Sequence, residues 1–322
     1  QTMNIRVGQV TYQFPAKRTG VMNYTDGTTL TVMDKVFALA EVGSMFVNDA
    51  VVEDNRVSVV YDEASAKVVV AGNVAKYLTV SVSGAHVDIA QSEDLDQEIT
   101  YTLSGSSSDG EFYMSGSYKA TLELNGLTLT NKTPVKSGAA VHIQNSKRIK
   151  VKVMDGTTNT LVDCASGSQK GAFYVKGHPE FSKSGVLNVV GNLKHAIKSG
   201  EYIELTEATL NVTSAQGDGI NCAQYFLMES GVININNVTD DGIQCDIDDT
   251  DAGSTGETAD HEDEDSGNIY IEGGTININT PGKAAKGIKS EGDLFVKDGS
   301  INITTTGHGK WDDEDVKTKA AA

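Results

Sequence analysis

At 322 residues, with 33 glycines and four prolines, the chain can bury a large core and reads as strands and turns. Its net charge of −18 makes nucleic acid and anionic membrane surfaces poor partners and favours cations, or ligands reached through them. No apolar run approaches the roughly 18–20 residues of a membrane-spanning helix, so no transmembrane segment is expected.

The opening Gln1-Thr2-Met3-Asn4 lacks the basic and apolar regions of a signal peptide, and whether a processed one preceded it stays open. Residues 1–92 then carry alternating runs: Val57-Ser58-Val59-Val60-Tyr61, Lys67-Val68-Val69-Val70 and Tyr77-Leu78-Thr79-Val80-Ser81-Val82. Asp26-Gly27, Ala71-Gly72-Asn73 and Ser83-Gly84 break them, which predicts short antiparallel strands with tight turns. Phe37-Ala38-Leu39-Ala40 is the one stretch expected to be helical. This N-terminal β unit is read as a cap or spacer, because bare sheet ends invite aggregation.

From Glu93 to Lys170 irregular coils begin. Ile99 to Leu103, Ala120 to Leu124, Leu127 to Leu129 and Ile149 to Val153 alternate as half-buried strands do, between Gly- and Ser-rich loops. A strict repeat then follows: Leu187-Asn188-Val189, Leu210-Asn211-Val212, Ile233-Asn234-Ile235, Ile276-Asn277-Ile278 and Ile301-Asn302-Ile303, with asparagines 23, 23, 43 and 25 residues apart. An apolar–Asn–apolar triplet fits one strand with two side chains in and one out. Two more strands recur in step, one through Ile203/Leu205, Phe226/Met228, Ile269/Ile271 and Leu294/Val296. The other begins at His195-Ala196-Ile197, Asp218-Gly219-Ile220, Asp241-Gly242-Ile243 and Lys286-Gly287-Ile288. Three short strands per coil with no helical crossover describe an all-β parallel β-helix, a solenoid over residues 93–322, right-handed by the general preference of parallel crossovers. The asparagine row bonds along its own axis or offers donors and acceptors to a linear polysaccharide. Cys222 and Cys245, 23 residues apart, are expected to stack inward as buried free thiols.

Asp218 and Asp241 occupy the same corner of successive coils. Carboxylates about 4.8 Å apart repel unless one is protonated or a cation lies between them. Asp240, Asp246, Asp248 and Asp249 lie nearby in sequence, enough oxygen donors for calcium; the alternative is a solvated acidic turn. An outward row of Tyr174, Lys198, Asn221, Gln244 and Lys289 is the candidate substrate face. An acidic insertion runs from Asp246 to Asp265, and Trp311-Asp312-Asp313-Glu314-Asp315 looks like the entry to a further coil.

Polygalacturonases share this architecture, and Asp240-Asp241, Gly307-His308-Gly309 and Arg148-Ile149-Lys150 are similar to their motifs, but in the wrong order. Hydrolysis is therefore not expected. A pectate-lyase reaction needs a strong base. All four arginines precede the regular coils, leaving Lys194, Lys198 and Lys289, whose pKa values the many carboxylates are expected to raise.

Ile99 to Gly105, Leu122 to Leu129, Asp155 to Leu161, Lys170 to Gly177, Asp218-Gly219-Ile220 and Asp240-Asp241-Gly242-Ile243 together resemble the bacterial carbohydrate-binding β-helix proteins, which are pectate-lyase-like in fold. Val10 to Pro15 resembles forms from Bacteroides-type bacteria. The resemblance implies calcium-loaded coils, with Asp218, Asp240, Asp241 and Asp246 as ligands, and binding of acidic glycan such as polygalacturonate, or of cellulose, without cleavage. The expectation is a monomeric, secreted or surface-anchored polysaccharide-binding protein. A lyase and a structural adhesin are the alternatives.

Overall fold

The computed structural model describes residues 1–247, 264–312 and 317–320. Among them the chain is all-β apart from two single-turn 3-10 helices, Leu39–Glu41 and Ala75–Tyr77. The stretch expected to be helical, Phe37 to Ala40, divides: Phe37 and Ala38 end the strand Lys35–Ala38, and Leu39 and Ala40 belong to the 3-10 turn Leu39–Glu41. Phe37 pairs with Leu30 and packs edge-on against Tyr12 and Phe14, so burial of one ring overrides local propensity.

The repeat forms three series of parallel strands. One rung supplies His195–Ser199, Ile203–Leu205 and Thr209–Ala215, and the next supplies Ile220–Ala223, Tyr225–Met228 and Val232–Asn236. Ile243–Asp246, Asn268–Ile271 and Thr275–Thr280 follow, then Ile288–Ser290, Leu294–Val296 and Ser300–Thr305. Like positions pair directly: Ile197 with Ile220, Ile220 with Ile243, Ile243 with Ile288. The first strand of each rung belongs to a nine-stranded sheet and the other two to a 19-stranded sheet. Ile197, Ile220, Ile243, Phe226, Ile269, Ile233 and Ile276 are fully buried between these layers. Each such side chain contributes about 1.5–3 kcal/mol over its exposed state.

The N-terminal segment shares this core. Thr2–Val7 and Val10–Pro15 are antiparallel, as are Arg56–Asp62 and Ser65–Ala71, yet Arg56–Asp62 lies parallel to Ile99–Ser107 and continues the 19-stranded sheet. A bulge after Leu103 needs Gly105, whose φ is +83° and whose missing Cβ would sit 2.1 Å from the Tyr61 carbonyl oxygen. At the other end, residues 313–315 of the segment expected to enter another coil lie outside the described residues. Lys310–Asp312 pairs antiparallel with Lys317–Lys319.

The asparagine row is a ladder. Each Nδ2 donates to the Oδ1 of the preceding rung: Asn211 to Asn188 at 2.9 Å, Asn234 to Asn211 at 2.9 Å, Asn277 to Asn234 at 2.8 Å and Asn302 to Asn277 at 3.0 Å. Cys222 and Cys245 are in register and buried as free thiols. The residues before and after them in that column, Ser199 and Ser290, turn their hydroxyls onto the carbonyls of Tyr202 and Asp293, and Cys222 reaches the Tyr225 carbonyl in the same way. These cysteines stand where the fold elsewhere uses serine to close a turn.

The ladder makes a graded prediction. Asn234→Ala strips partners from two neighbours and is expected to cost about 1–3 kcal/mol in chemical unfolding. Asn302→Ala, at the exposed end of the row, is expected to cost less than half as much; equal losses would deny the ladder any cooperative role.

Candidate functional site

The corner where each rung enters the nine-stranded sheet carries one polar side chain that accepts the backbone N–H of the next rung. His195 Nδ1 accepts from Asp218 N–H at 3.1 Å, Asp218 Oδ1 from Asp241 N–H at 3.0 Å, and Asp241 Oδ1 from Lys286 N–H at 2.7 Å. Earlier rungs use buried Glu111, which accepts from Lys136, Ser137 and Gly138, and Asp163, which accepts from Asn192 and Leu193. The Asp-Gly-Ile phrase follows from this crowding. A Cβ on Gly219 would lie 2.7 Å from the Gly242 carbonyl and 2.8 Å from Ile235, and Gly242 is equally confined by Gly287 and Ile278.

Asp218, Asp240 and Asp241 each bring a carboxylate oxygen within 4.8 Å of the others. Asp218 and Asp241 are buried and Asp240 is exposed. Burial pushes Asp241 above the usual carboxylate range; the Lys286 N–H opposes the rise, and the charges of Asp240 and Asp218 add to it. An all-oxygen set whose members repel one another suits a hard cation, although Lys289 Nζ, 3.8 Å from Asp241, already offsets part of the charge. Asp246 lies outside the trio and joins it through Asn221, whose Nδ2 donates to Asp218 at 2.9 Å and to Asp246 at 3.4 Å. Asp248 and Asp249 lie outside the described residues.

The expected outward row is in register: Tyr174 beside Lys198, then Asn221, Gln244 and Lys289. It also extends backwards through His142, Tyr113 and Asp88, which sequence reading missed because the early coils do not keep the 23-residue period. Tyr113 and His142 meet edge-on with ring centroids 4.7 Å apart, and His142 and Tyr174 at 5.0 Å. The Lys136 ammonium lies 5.2 Å from the Tyr113 ring centre. One member departs from expectation. Asn221 is buried among Asp218, Asp246 and Lys198 and is not open to a polymer.

Lys198 corrects another expectation. Burial lowers its pKa, and the charges of Asp246 and Asp218 do not reverse the shift, so desolvation outweighs the neighbouring carboxylates. His195 is buried as well, and desolvation lowers its pKa despite Asp218. Its ring therefore stays neutral near pH 7 with Nδ1 as acceptor, and the 3.1 Å approach of Nδ1 to Asp218 Oδ2 is a contact within the corner, not an ion pair.

The row ends at a cavity of about 830 Å³ lined by Thr239, Asp240, Asp241 and Gln244 together with five lysines: Lys283, Lys286, Lys289, Lys310 and Lys319. Asp240, Asp241, Gln244 and Lys289 were sequence candidates. Lys310 and Lys319 come from the terminal hairpin, and no repeat signal could have placed them here.

The arrangement is a stacked, parallel all-β scaffold with a polar track and a charged recess on one sheet. Among solved structures it resembles a polysaccharide lyase-like protein from C. thermocellum, solved as a gadolinium derivative. That chain is 21% identical, with a TM-score of 0.57 over 78% of this chain and 95% of the other, which establishes likeness of fold. No curated protein matches the chain. Residues 83–322 match the family described as carbohydrate-binding domain-containing protein, and the chain belongs to that family.

Neutral His195 gives the corner a definite pH response. Its depressed pKa means the unfolded chain takes up a proton first as pH falls, so stability is full above the ordinary histidine range and declines on acidification below it. His195→Asn places an oxygen where the aspartates of later rungs have one, and is expected to flatten the melting temperature between about pH 7 and pH 5. An unchanged slope would mean that the ring does not serve as the acceptor.

Proposed function

We propose that the protein binds acidic polysaccharide, of the polygalacturonate type, along the nine-stranded sheet without cleaving it, and that it acts outside the cell as a secreted or surface-held protein. In this reading the three strand series wind as a right-handed parallel β-helix. The observation that carries the proposal is the outward row, Tyr113, Tyr174, Lys198, Gln244 and Lys289, with His142 buried between the two tyrosines, leading toward the lysine-lined cavity. Aromatic faces suit the apolar faces of sugar rings, and amides and ammonium groups suit hydroxyls and carboxylates. Family membership supports carbohydrate as the ligand class.

Calcium belongs to the same proposal. Asp218, Asp240 and Asp241 would hold it, with water and a uronate carboxylate completing the oxygen shell of about 6–8 ligands. Its chemistry there is to neutralise the carboxylates and to bridge the corner to an anionic glycan. With Lys289 already beside Asp241, the expected affinity is that of extracellular calcium modules, about 10⁻⁴–10⁻³ M.

Asp241 makes this testable. A carboxylate whose folded pKa is raised loses stability as pH rises through that value. Asp241→Asn keeps an oxygen for the Lys286 N–H while removing the charge. It is expected to melt a few degrees higher than wild type in chelator at pH 8 and to lose both the calcium-induced rise in melting temperature and the calcium-dependent part of polygalacturonate retention. A calcium response identical to wild type sinks the assignment of the ion to this corner.

A second reading, a uronate lyase, is favoured by one observation. Burial shifts Lys198 in the direction a general base requires. It predicts ultraviolet absorbance from unsaturated uronate products that disappears in Lys198→Ala. The binding reading predicts no such absorbance in wild type.

A further inference from the structure

We infer that the protein forms a two-fold dimer through the strand Val42–Asn48, which pairs antiparallel with its own counterpart in a second copy and so closes the open edge of the 19-stranded sheet. The monomer expected from the sequence is then the form present at high dilution.

Val42–Asn48 pairs along one edge with Thr2–Val7, and among the described residues no strand pairs with its other edge. Pairing runs on from Thr2–Val7 through Val10–Pro15, Ser65–Ala71 and Arg56–Asp62 to Ile99–Ser107, so the sheet stops at Val42–Asn48. An unpaired edge presents backbone donors and acceptors that another strand can take up, and proteins blunt such edges with charge, proline or bulges. This strand holds no charged residue and no proline, and its one register shift, between Val42 and Ser44, lies at one end.

The edge is apolar as well as open. Met45 and Val47 sit opposite Ile5 and Met3 and share the face that those two residues bury. Yet Met45 is 45% exposed and Val47 58%, and Phe46, on the other face, is 45% exposed. The core face of the sheet thus runs out past its last covered strand. Three adjacent apolar side chains are left half in water, and a strand laid beside them removes that surface from solvent.

Charge and register favour a second copy as the partner. At a net charge of −18, two copies repel over most of their surfaces. Val42–Asn48 brings no charge to the contact, and Glu41 and Asp49 lie just outside it. Antiparallel registers on this edge differ by two residues, because only alternate residues turn their N–H and C=O outward. A two-fold axis through Phe46 sets that ring against its own copy and Met45 against Val47 on both sides. Ser44 then meets Asn48, and neither acidic neighbour meets another acid. An axis through Met45 instead sets Phe46 against Ser44 and Glu41 against Asp49, apolar on polar and like charge on like. The Phe46 register matches apolar with apolar, and use of the same patch by both copies closes the assembly at two. One strand pair is a small interface beside the roughly 1,200–2,000 Å² of stable complexes, so monomer and dimer exchange with concentration.

The test is sedimentation equilibrium of the full chain in chelator, where calcium cannot bridge acidic surfaces. A monomer–dimer equilibrium is expected, with a dissociation constant on the order of 10–100 μM that tightens as salt screens the net charge. Met45→Lys/Val47→Lys sets like charges opposite each other and is expected to weaken association roughly tenfold or more. Both side chains are exposed, and an unchanged melting temperature in dilute solution shows that the variant folds. Cross-linking reads the register independently. Under a copper–phenanthroline oxidant Phe46→Cys is expected to form a disulfide-linked dimer, since paired Cα atoms about 4.5–5.5 Å apart lie within disulfide reach. Ser44→Cys, which faces Asn48, is expected to stay unlinked, and the native cysteines are buried. A chain that stays monomeric up to about 1 mM leaves the edge to a different partner and overturns the inference. So does unchanged association in the lysine pair, growth into open-ended oligomers, or equal cross-linking at Ser44.

Discussion

Register between rungs is the constraint on which the rest of this protein depends. Because side chains alternate along a strand, a slip of one residue would turn the Ile197, Ile220 and Ile243 column out to water and the Lys198 and Gln244 row into the core. Parallel backbone pairing alone tolerates such slips. Two polar devices oppose them here: the asparagine ladder on one face, and at the corner a side chain from each rung that takes the backbone N–H of the next. Each device is satisfied only when the rungs align, so polar groups add specificity to the non-directional burial of the apolar columns.

That corner device explains why acid gathers where it does. A carboxylate is a strong acceptor for a backbone N–H, and the fold uses one at Glu111, Asp163, Asp218 and Asp241. Where such corners fall on adjacent rungs, at Asp218 and Asp241, the same hydrogen-bonding role stacks two charges, and Asp240 adds a third. The structural role and the crowding of negative charge thus arise from one choice of residue. Lys289 then brings positive charge to the edge of this group.

Burial decides the state of the central groups more than their neighbours do. Lys198 sits among carboxylates that favour its charged form, yet desolvation lowers its pKa; His195 beside Asp218 is likewise kept neutral. Asn221, outward by strand alternation, is covered by the side chains around it. Reading such groups from sequence spacing gives their position along the sheet but not the depth at which they sit.

The regular half of the chain was legible because its information is local and periodic. A repeat of about 23 residues, an apolar–Asn–apolar phrase and a glycine after Asp218, Asp241 and Lys286 suffice to place three strands per rung, to align Asn188 through Asn302, and to stack Cys222 on Cys245. Those features survive without coordinates because each rung meets the same neighbours in the same way. What only the tertiary structure decided lacks that period. Tyr113 and His142 join the outward row from coils of irregular length, Phe37 becomes a strand residue by packing on two distant rings, and Lys310 and Lys319 reach the cavity by a hairpin that reverses the chain. Periodic contacts are written in the sequence as repeats; contacts made once, between segments far apart in the chain, depend on the closed packing of the whole and leave no such trace.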